Sequence, residues 1–288
     1  MVTNVPRHDF PAAAVAEDMA GLLGSTGRVL DRLEGSEMSR SRALESALTV
    51  AKSFCANDPW AGRFETWEAW VTAMQVGSAL FDAAMASEGP VACRIGSHGE
   101  VKNLPATGPT SSTHAGAWVT SFYLAVICRD NARVDRLAQV PVALLRESGA
   151  VFDEYIYSWV ETLQGLVSGR ADVGSSLEAA FHGTDPEVAH VADKETLLKI
   201  LYPPVNLFYR LVKPDPGEFN EALTDALTWH KEYWTDNEAR SLSSDGLVAL
   251  GPLALACMAF DNGFPIEVES EYLPRFLLQG NWVGEYAT

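Results

Sequence analysis

Reaction chemistry is what this sequence has least of. It contains no GxGxxG or GxxxxGK[ST] loop, no GxSxG elbow and no HExxH pair, so dinucleotide, P-loop, α/β-hydrolase and zinc-protease readings all lose their signatures. Its four cysteines, Cys55, Cys93, Cys128 and Cys257, lie far apart with no CxxC spacing. They read as buried free thiols of a reducing compartment, not as a disulfide frame or a zinc site. Basic residues are scarce, 21 against 38 acids for a net charge of −17. Such a chain cannot build a nucleic-acid groove, and its field repels phosphates and anionic lipid. The first residues are not expected to act as a secretory leader, because MVTNVPRHDFPAAAVAEDM carries acids and prolines where a leader needs a basic start and about 7–15 apolar residues. No fixed helical repeat and no linker-like composition divide the chain. The expectation is one cytoplasmic domain over residues 1–288, with no metal, no cofactor, and neither nucleic acid nor membrane as a direct partner.

What the chain does have is an uncharged core segment. Residues 247–260, LVALGPLALACMAF, pass without a charge, and small side chains occupy every face of the helix they would form. A helix apolar all round must be enclosed by other helices. The segment is shorter than the roughly 20 residues that span a bilayer. Pro252 suits a first helical turn or a kink, and Asn262-Gly263 supplies a left-handed ending. Leu250, Leu253, Leu255, Cys257, Met258 and Phe260 are the expected buried residues of this central post.

Apolar spacing of three and four residues predicts further helices over 11–33, 39–54, 64–86, 131–145, 151–167, 174–181, 194–212 and 216–234. Another, capped by Ser112 or Thr113, runs to about 129. Trp67 and Trp70 fall on a packing stripe. Pro203-Pro204 should break or kink the 194–212 helix. Between 90 and 104, Val91, Cys93 and Ile95 alternate with smaller or polar residues ahead of Gly96-Ser97-His98-Gly99, so a small β-hairpin is expected there, leaning on helices. The fold class is therefore all-α, an irregular multi-helix array or bundle with one hairpin.

The 216–234 helix carries the main functional signal. Asp215 caps it, Pro216 takes the first position, and Glu218 is placed to reach back from the third. At 100° per residue the apolar residues fill one side, and Glu218, Glu221, Asp225 and Glu232 gather within about 60° on another. Helix-dipole compensation ends after the first turn, so it does not explain Asp225 or Glu232. The stripe is either a solvated face or a surface presented to a basic partner. From Pro214 onward there are 13 acids and 3 bases, and Glu267, Glu269 and Glu271 alternate onto one side if that segment is extended.

Candidates for chemistry are thin. His230 falls inside the apolar stripe and reads as a core histidine. His182 and His190, with Asp185, Glu187 and Asp193, form the densest group of possible metal ligands, but their spacing fits no zinc pattern. Ser97 and His98 are neighbours in sequence, which does not make a relay.

The wording of the C-terminal third is familiar. His230-Lys231-Glu232-Tyr233-Trp234, then Leu250-Gly251-Pro252-Leu253-Ala254-Leu255-Ala256-Cys257, then the run from Gly263 to Ser270 and Tyr272-Leu273-Pro274, resemble the immunity protein 49 family of bacterial polymorphic toxin systems. Residues 195–285 carry most of the likeness. The resemblance implies a mostly helical, non-enzymatic antidote that binds and blocks a cognate toxin, commonly a nuclease or other nucleic-acid enzyme with a basic surface. A helical scaffold for protein interaction is the alternative, and a hydrolase with a dispersed site comes third.

Overall fold

Helix accounts for 62% of the computed structural model, which describes residues 2–96 and 100–284. Strand β1 (Thr3–Asn4) leads into α1 (Ala12–Leu30), whose only buried residue is Thr26. Helix α2 (Glu37–Asn57) starts two residues earlier than its apolar pattern suggests, because Ser36 accepts the Ser39 N–H as a cap. Helix α3 (Phe64–Met85) buries Trp67 and Trp70, as their spacing predicts. The hairpin follows as β2 (Val91–Arg94) and β3 (Val101–Leu104), antiparallel with Val91 opposite Leu104 and Arg94 opposite Val101, and it leans on α3. Of its expected turn, Ser97, His98 and Gly99 lie outside the described residues.

Helix α4 (Ala115–Ile127) is capped by His114, whose Nδ1 accepts the Ala117 N–H at 3.1 Å. Neither Ser112 nor Thr113 caps it; the Thr113 hydroxyl bonds within the preceding turn, to Thr110. The helix expected over 131–145 is two, α5 (Asn131–Ala138) and α6 (Val142–Arg146). Pro141 between them has no N–H to continue the ladder and stands as the cap of the second. Helices α7 (Tyr155–Ser168) and α8 (Val173–Gly183) pack on each other. At Pro203-Pro204 the helix is neither broken nor ended. It runs from α9 (Lys194–Thr196) through one π-helical stretch, Leu197–Leu201, into α10 (Tyr202–Val212), so the wider turn absorbs the missing donors. Then come α11 (Pro216–Trp234), α12 (Glu238–Ser241), a 3-10 turn at Ser244–Leu247, α13 (Leu250–Asp261), β4 (Val268–Glu269) and α14 (Arg275–Leu278). Strand β4 pairs in parallel with β1, joining the two ends of the chain. One hydrophobic cluster runs from Val5 to Leu278.

Helix α13 is the post of that cluster, held among α4, α10, α11 and α14. Leu253, Leu255 and Cys257 are fully buried. A Cβ on Gly251 would stand 2.5 Å from Pro204 Cγ and 3.4 Å from Tyr123 Cε2, so a hydrogen side chain is what lets α10 and α4 approach this closely. Leu250 and Met258 are only half-buried, and Phe260 is 38% exposed, against expectation. Phe260 shares a side with Leu253 but lies two turns further on, where Asp261, Asn262 and Gly263 already meet solvent. The helix closes as expected: Gly263 is left-handed (φ 82°), Phe264 donates to Ala259 O at 2.9 Å and Gly263 to Phe260 O at 2.9 Å. By length and mean hydropathy of 1.3, the stretch Ser244–Asp261 would pass as a membrane span. It is instead a 3-10 turn, an extended Val248 and a 12-residue helix, about 18 Å long against a hydrocarbon core of about 30 Å.

Arg129 fastens the post. Its Nη1 donates to Ile127 O at 2.8 Å, Leu277 O at 2.6 Å and Cys257 Sγ at 3.1 Å, its Nη2 to Leu278 O at 2.6 Å, and its Nε pairs with Asp261 at 3.0 Å. The residue is held at φ 55°, a left-handed backbone that bulky side chains avoid. These bonds offset that cost while satisfying carbonyls at the end of α4 and within α14.

Leu255→Ala is expected to lower unfolding free energy in urea by about 2–5 kcal/mol, whereas Phe260→Ala costs less than about 1 kcal/mol; equal losses at the two positions contradict this placement of α13. Arg129→Ala removes a half-buried guanidinium from several backbone acceptors, and the same titration should show a loss of about 1–3 kcal/mol.

Candidate functional site

Helix α11 has two working sides. Asp215 caps it by accepting the Glu218 N–H at 3.0 Å. Glu218 does not reach back to complete the box; its carboxylate takes Arg210 instead, because an arginine outcompetes a neutral N–H for a carboxylate. Phe219, Ala222, Leu223, Ala226, Leu227 and His230 are buried, while Glu218, Glu221, Asp225 and Glu232 are exposed. The stripe is thus a solvent-facing surface, and its charges are unequally available. Glu218 is paired with Arg210, and Glu232 lies 3.4 Å from Lys199. Glu221 and Asp225 carry no ion pair among the described residues.

The second acidic set lies beside the first. Asn220 on α11 donates to Pro265 O at 2.8 Å and accepts the Glu267 N–H at 2.7 Å, fixing the 265–267 segment to the helix. Along that segment Glu267 and Glu269 are exposed while Val268 and Ser270 are buried, the alternation an extended chain imposes. Glu271 is half-buried and 3.5 Å from Arg7. The structure therefore brings all seven acids onto two adjoining elements, with Glu221, Asp225 and Glu269 as the exposed carboxylates lacking an ion pair among the described residues.

On roughly the opposite side of α11, at steps of four, Ala226, His230 and Trp234 face inward. They help to line a cleft of about 360 Å³ whose other walls come from α4, α7, the π-helical stretch and the start of α13. Phe152, Tyr155 and Trp159 form its aromatic side, and Lys52, Lys199 and Asp245 are its charged members. Lys52 is buried and meets Asp245 at 2.8 Å across 193 residues of sequence. No sequence signal marks that pair, and the 152, 155, 159 spacing reads only as helix packing.

The cleft has little means of moving protons near neutral pH. His230 sits 3.0 Å from Gly246 O through Nε2, which makes Nε2 the protonated nitrogen, and burial pushes its pKa down to about 3. Burial pushes the Tyr123 and Tyr155 phenols up. The cysteines lie elsewhere, all four buried and free, and burial pushes Cys55 up to about 12 and Cys257 up to about 11. Among the described residues no group of three or more His, Cys, Asp or Glu is placed to hold a metal ion. His182 and His190 are both exposed, and Asp153 spends its carboxylate on the backbone N–H groups of His190, Val191 and Ala192 at 2.6–2.9 Å.

Comparison with known proteins decides the family. The sequence model of immunity protein 49 matches residues 58–277. The chain belongs to the immunity protein 49 family. The match reaches much further toward the N-terminus than the 195–285 stretch in which the likeness is easiest to see, so α3, the hairpin and α4 lie within the matched segment too. No curated protein and no solved structure matches the chain. Within the family segment lie α11 with its acidic side, the post α13, and β4 with Glu267, Glu269 and Glu271.

The cleft histidine has a measurable consequence. An unfolded His230 titrates near 6.5 and the folded one near 3, so the unfolded state binds the extra proton between those values. Stability from this residue is therefore intact above about pH 6.5 and falls by up to about 1.4 kcal/mol per pH unit below it. Urea midpoints at pH 4.5, 5.5 and 7 should show this slope reduced in His230→Gln, whose amide can still donate to Gly246 O; an unchanged slope means that His230 is not the titrating group.

Proposed function

We propose that this protein is the antidote of a bacterial polymorphic toxin system, binding a cognate toxin domain one to one and blocking it by occlusion. The observation that carries the reading is the family match over residues 58–277, about three quarters of the chain. The chemistry of the surface supports it. A net charge of −17, with Glu221, Asp225 and Glu269 exposed on adjoining elements, suits a partner with a basic surface, such as an enzyme that grips nucleic acid. Complementary charge raises the association rate, and a few buried anchors set slow dissociation. The antidote acts in the cytoplasm and does so without catalysis, cofactor, membrane or direct contact with nucleic acid. A cleft whose histidine and phenols are shifted away from neutrality by burial fits a binding protein better than a hydrolase.

The experiment is co-expression with the toxin encoded by the neighbouring gene. Wild-type protein should restore growth and co-purify with the toxin at one to one. Association should slow as salt rises, since exposed charges are screened over about 8 Å at physiological ionic strength. Reversing Glu221→Lys and Asp225→Lys together should slow association by about tenfold and leave the urea midpoint nearly unchanged. Glu232 is best left intact because its reversal would also disturb Lys199. An unchanged association rate removes the stripe from the interface; failure of the wild-type protein to bind or protect refutes the antidote role.

A further inference from the structure

Bases are few in this chain, yet three of its arginines line one pocket. Gln75, Ala79 and Asp82 of α3, Arg94 of β2, and Arg133 and Arg136 of α5 enclose about 300 Å³. The pocket shares no residue with the central cleft or the acidic stripe. Asp82, the acid in its lining, and Asp130 at the start of α5 are already engaged. Asp82 lies 3.4 Å from Arg136 Nε, and Asp130, which caps α5, takes Arg133 Nη1 at 2.6 Å.

Two donors in this wall have no acceptor among the described residues. Gln75 is fully buried, and its Oε1 accepts the Gly96 N–H at 2.9 Å. That bond assigns the amide, because an N–H can only meet the oxygen, and Nε2 is left as the free end with no partner. Arg133 Nε is likewise buried and unpartnered, on a side chain 11% exposed. A buried donor without an acceptor costs about 1–3 kcal/mol, and more if charged. The Nε edge of a guanidinium, with a second N–H beside it, is the geometry that receives a carboxylate or phosphate side-on.

We propose that this pocket binds a single oxyanion, a phosphate or a carboxylate, which accepts hydrogen bonds from Gln75 Nε2 and Arg133 Nε, with Arg94 and Arg136 adding positive charge at the rim. Such a ligand supplies what the walls lack, acceptors and negative charge. In a protein whose surface is otherwise acidic, the site would select small anions that the rest of the molecule repels. The inference does not depend on the antidote role, and its test involves no toxin.

Inorganic phosphate and acetate are each titrated into the isotope-labelled full chain at constant ionic strength, with chloride as the reference. The Gln75 side-chain amide, the Arg133 Nε–H and the Gly96 N–H are followed by NMR. Saturable shifts with a dissociation constant of about 1 mM or tighter are expected for at least one of the two anions. Saturation by phosphate alone identifies a phosphorylated ligand, and saturation by acetate alone identifies a carboxylate such as an acidic side chain or chain terminus. Gln75→Glu removes one donor and places a like charge in the pocket. Arg136→Gln, at a half-exposed side chain, keeps the test valid if Gln75→Glu fails to fold. Each variant should weaken binding at least tenfold. Shifts that stay linear with both anions, or a dissociation constant unchanged in Arg136→Gln, overturn the proposal and leave a pocket filled by water.

Discussion

Enclosure of α13 is the constraint from which most of this structure follows. A helix without a charged residue from Leu250 to Phe260 gains stability only where protein replaces water on every face, so it needs neighbours all around it. Those neighbours are α4, α10, α11 and α14, drawn from positions more than a hundred residues apart. Small residues decide how close they come: at Gly251 the α10 proline already stands where a methyl group would go, with the α4 tyrosine close beside it. Arg129 then locks the far end, holding Asp261 on the post and two carbonyls of α14 with one guanidinium. The chain ends follow, since α14 donates back to Trp60 through Phe276 and β1 pairs with β4.

Packing around such a post cannot be perfect everywhere, and the cleft beside α13 is where it opens. Its walls combine the π-helical stretch before Pro203-Pro204 with the aromatic side of α7. The prolines remove two N–H donors, and the π turn keeps the helix continuous at the cost of regular packing. What results is an apolar recess with a buried Lys52–Asp245 pair. Its histidine is neutral and fixed, and its phenols stay protonated, so the recess has the shape of a ligand site without proton donors or acceptors tuned to neutral pH.

Helix α11 separates two functions that its sequence interleaves. One side completes the core, and the other presents carboxylates to solvent. Internal arginines and lysines quench some of these charges, as Arg210 does for Glu218 and Lys199 for Glu232, leaving Glu221 and Asp225 to act outward. On the proposed antidote role, converging catalytic groups are not required; such a protein needs a rigid scaffold and uncommitted charge on a complementary face. The enclosed post gives the scaffold, and the surplus of acids over bases gives the charge.

The sequence by itself determined the all-helical class, the position of the post, the hairpin and the acidic side of α11. These depend on periodicity and local composition: an uncharged run has to be buried, alternation has to be extended, and residues spaced by three and four share a face. It also placed His230 in the core and kept all four cysteines free. Tertiary structure decided the rest. Phe260 is exposed because burial along a helix ends where its neighbours end, which the wheel cannot show. His114 displaces Ser112 and Thr113 as a cap, and the π turn carries a helix through two prolines, because the surrounding packing outweighs local preference. The Lys52–Asp245 pair, the quenching of Glu218 and Glu232, and the meeting of Gln75 with Arg133 all join residues whose separation in sequence carries no signal. Side-chain contacts between distant elements are set by how whole helices stack, so which charges stay free, and which buried donors lack a partner, becomes visible only in the folded chain.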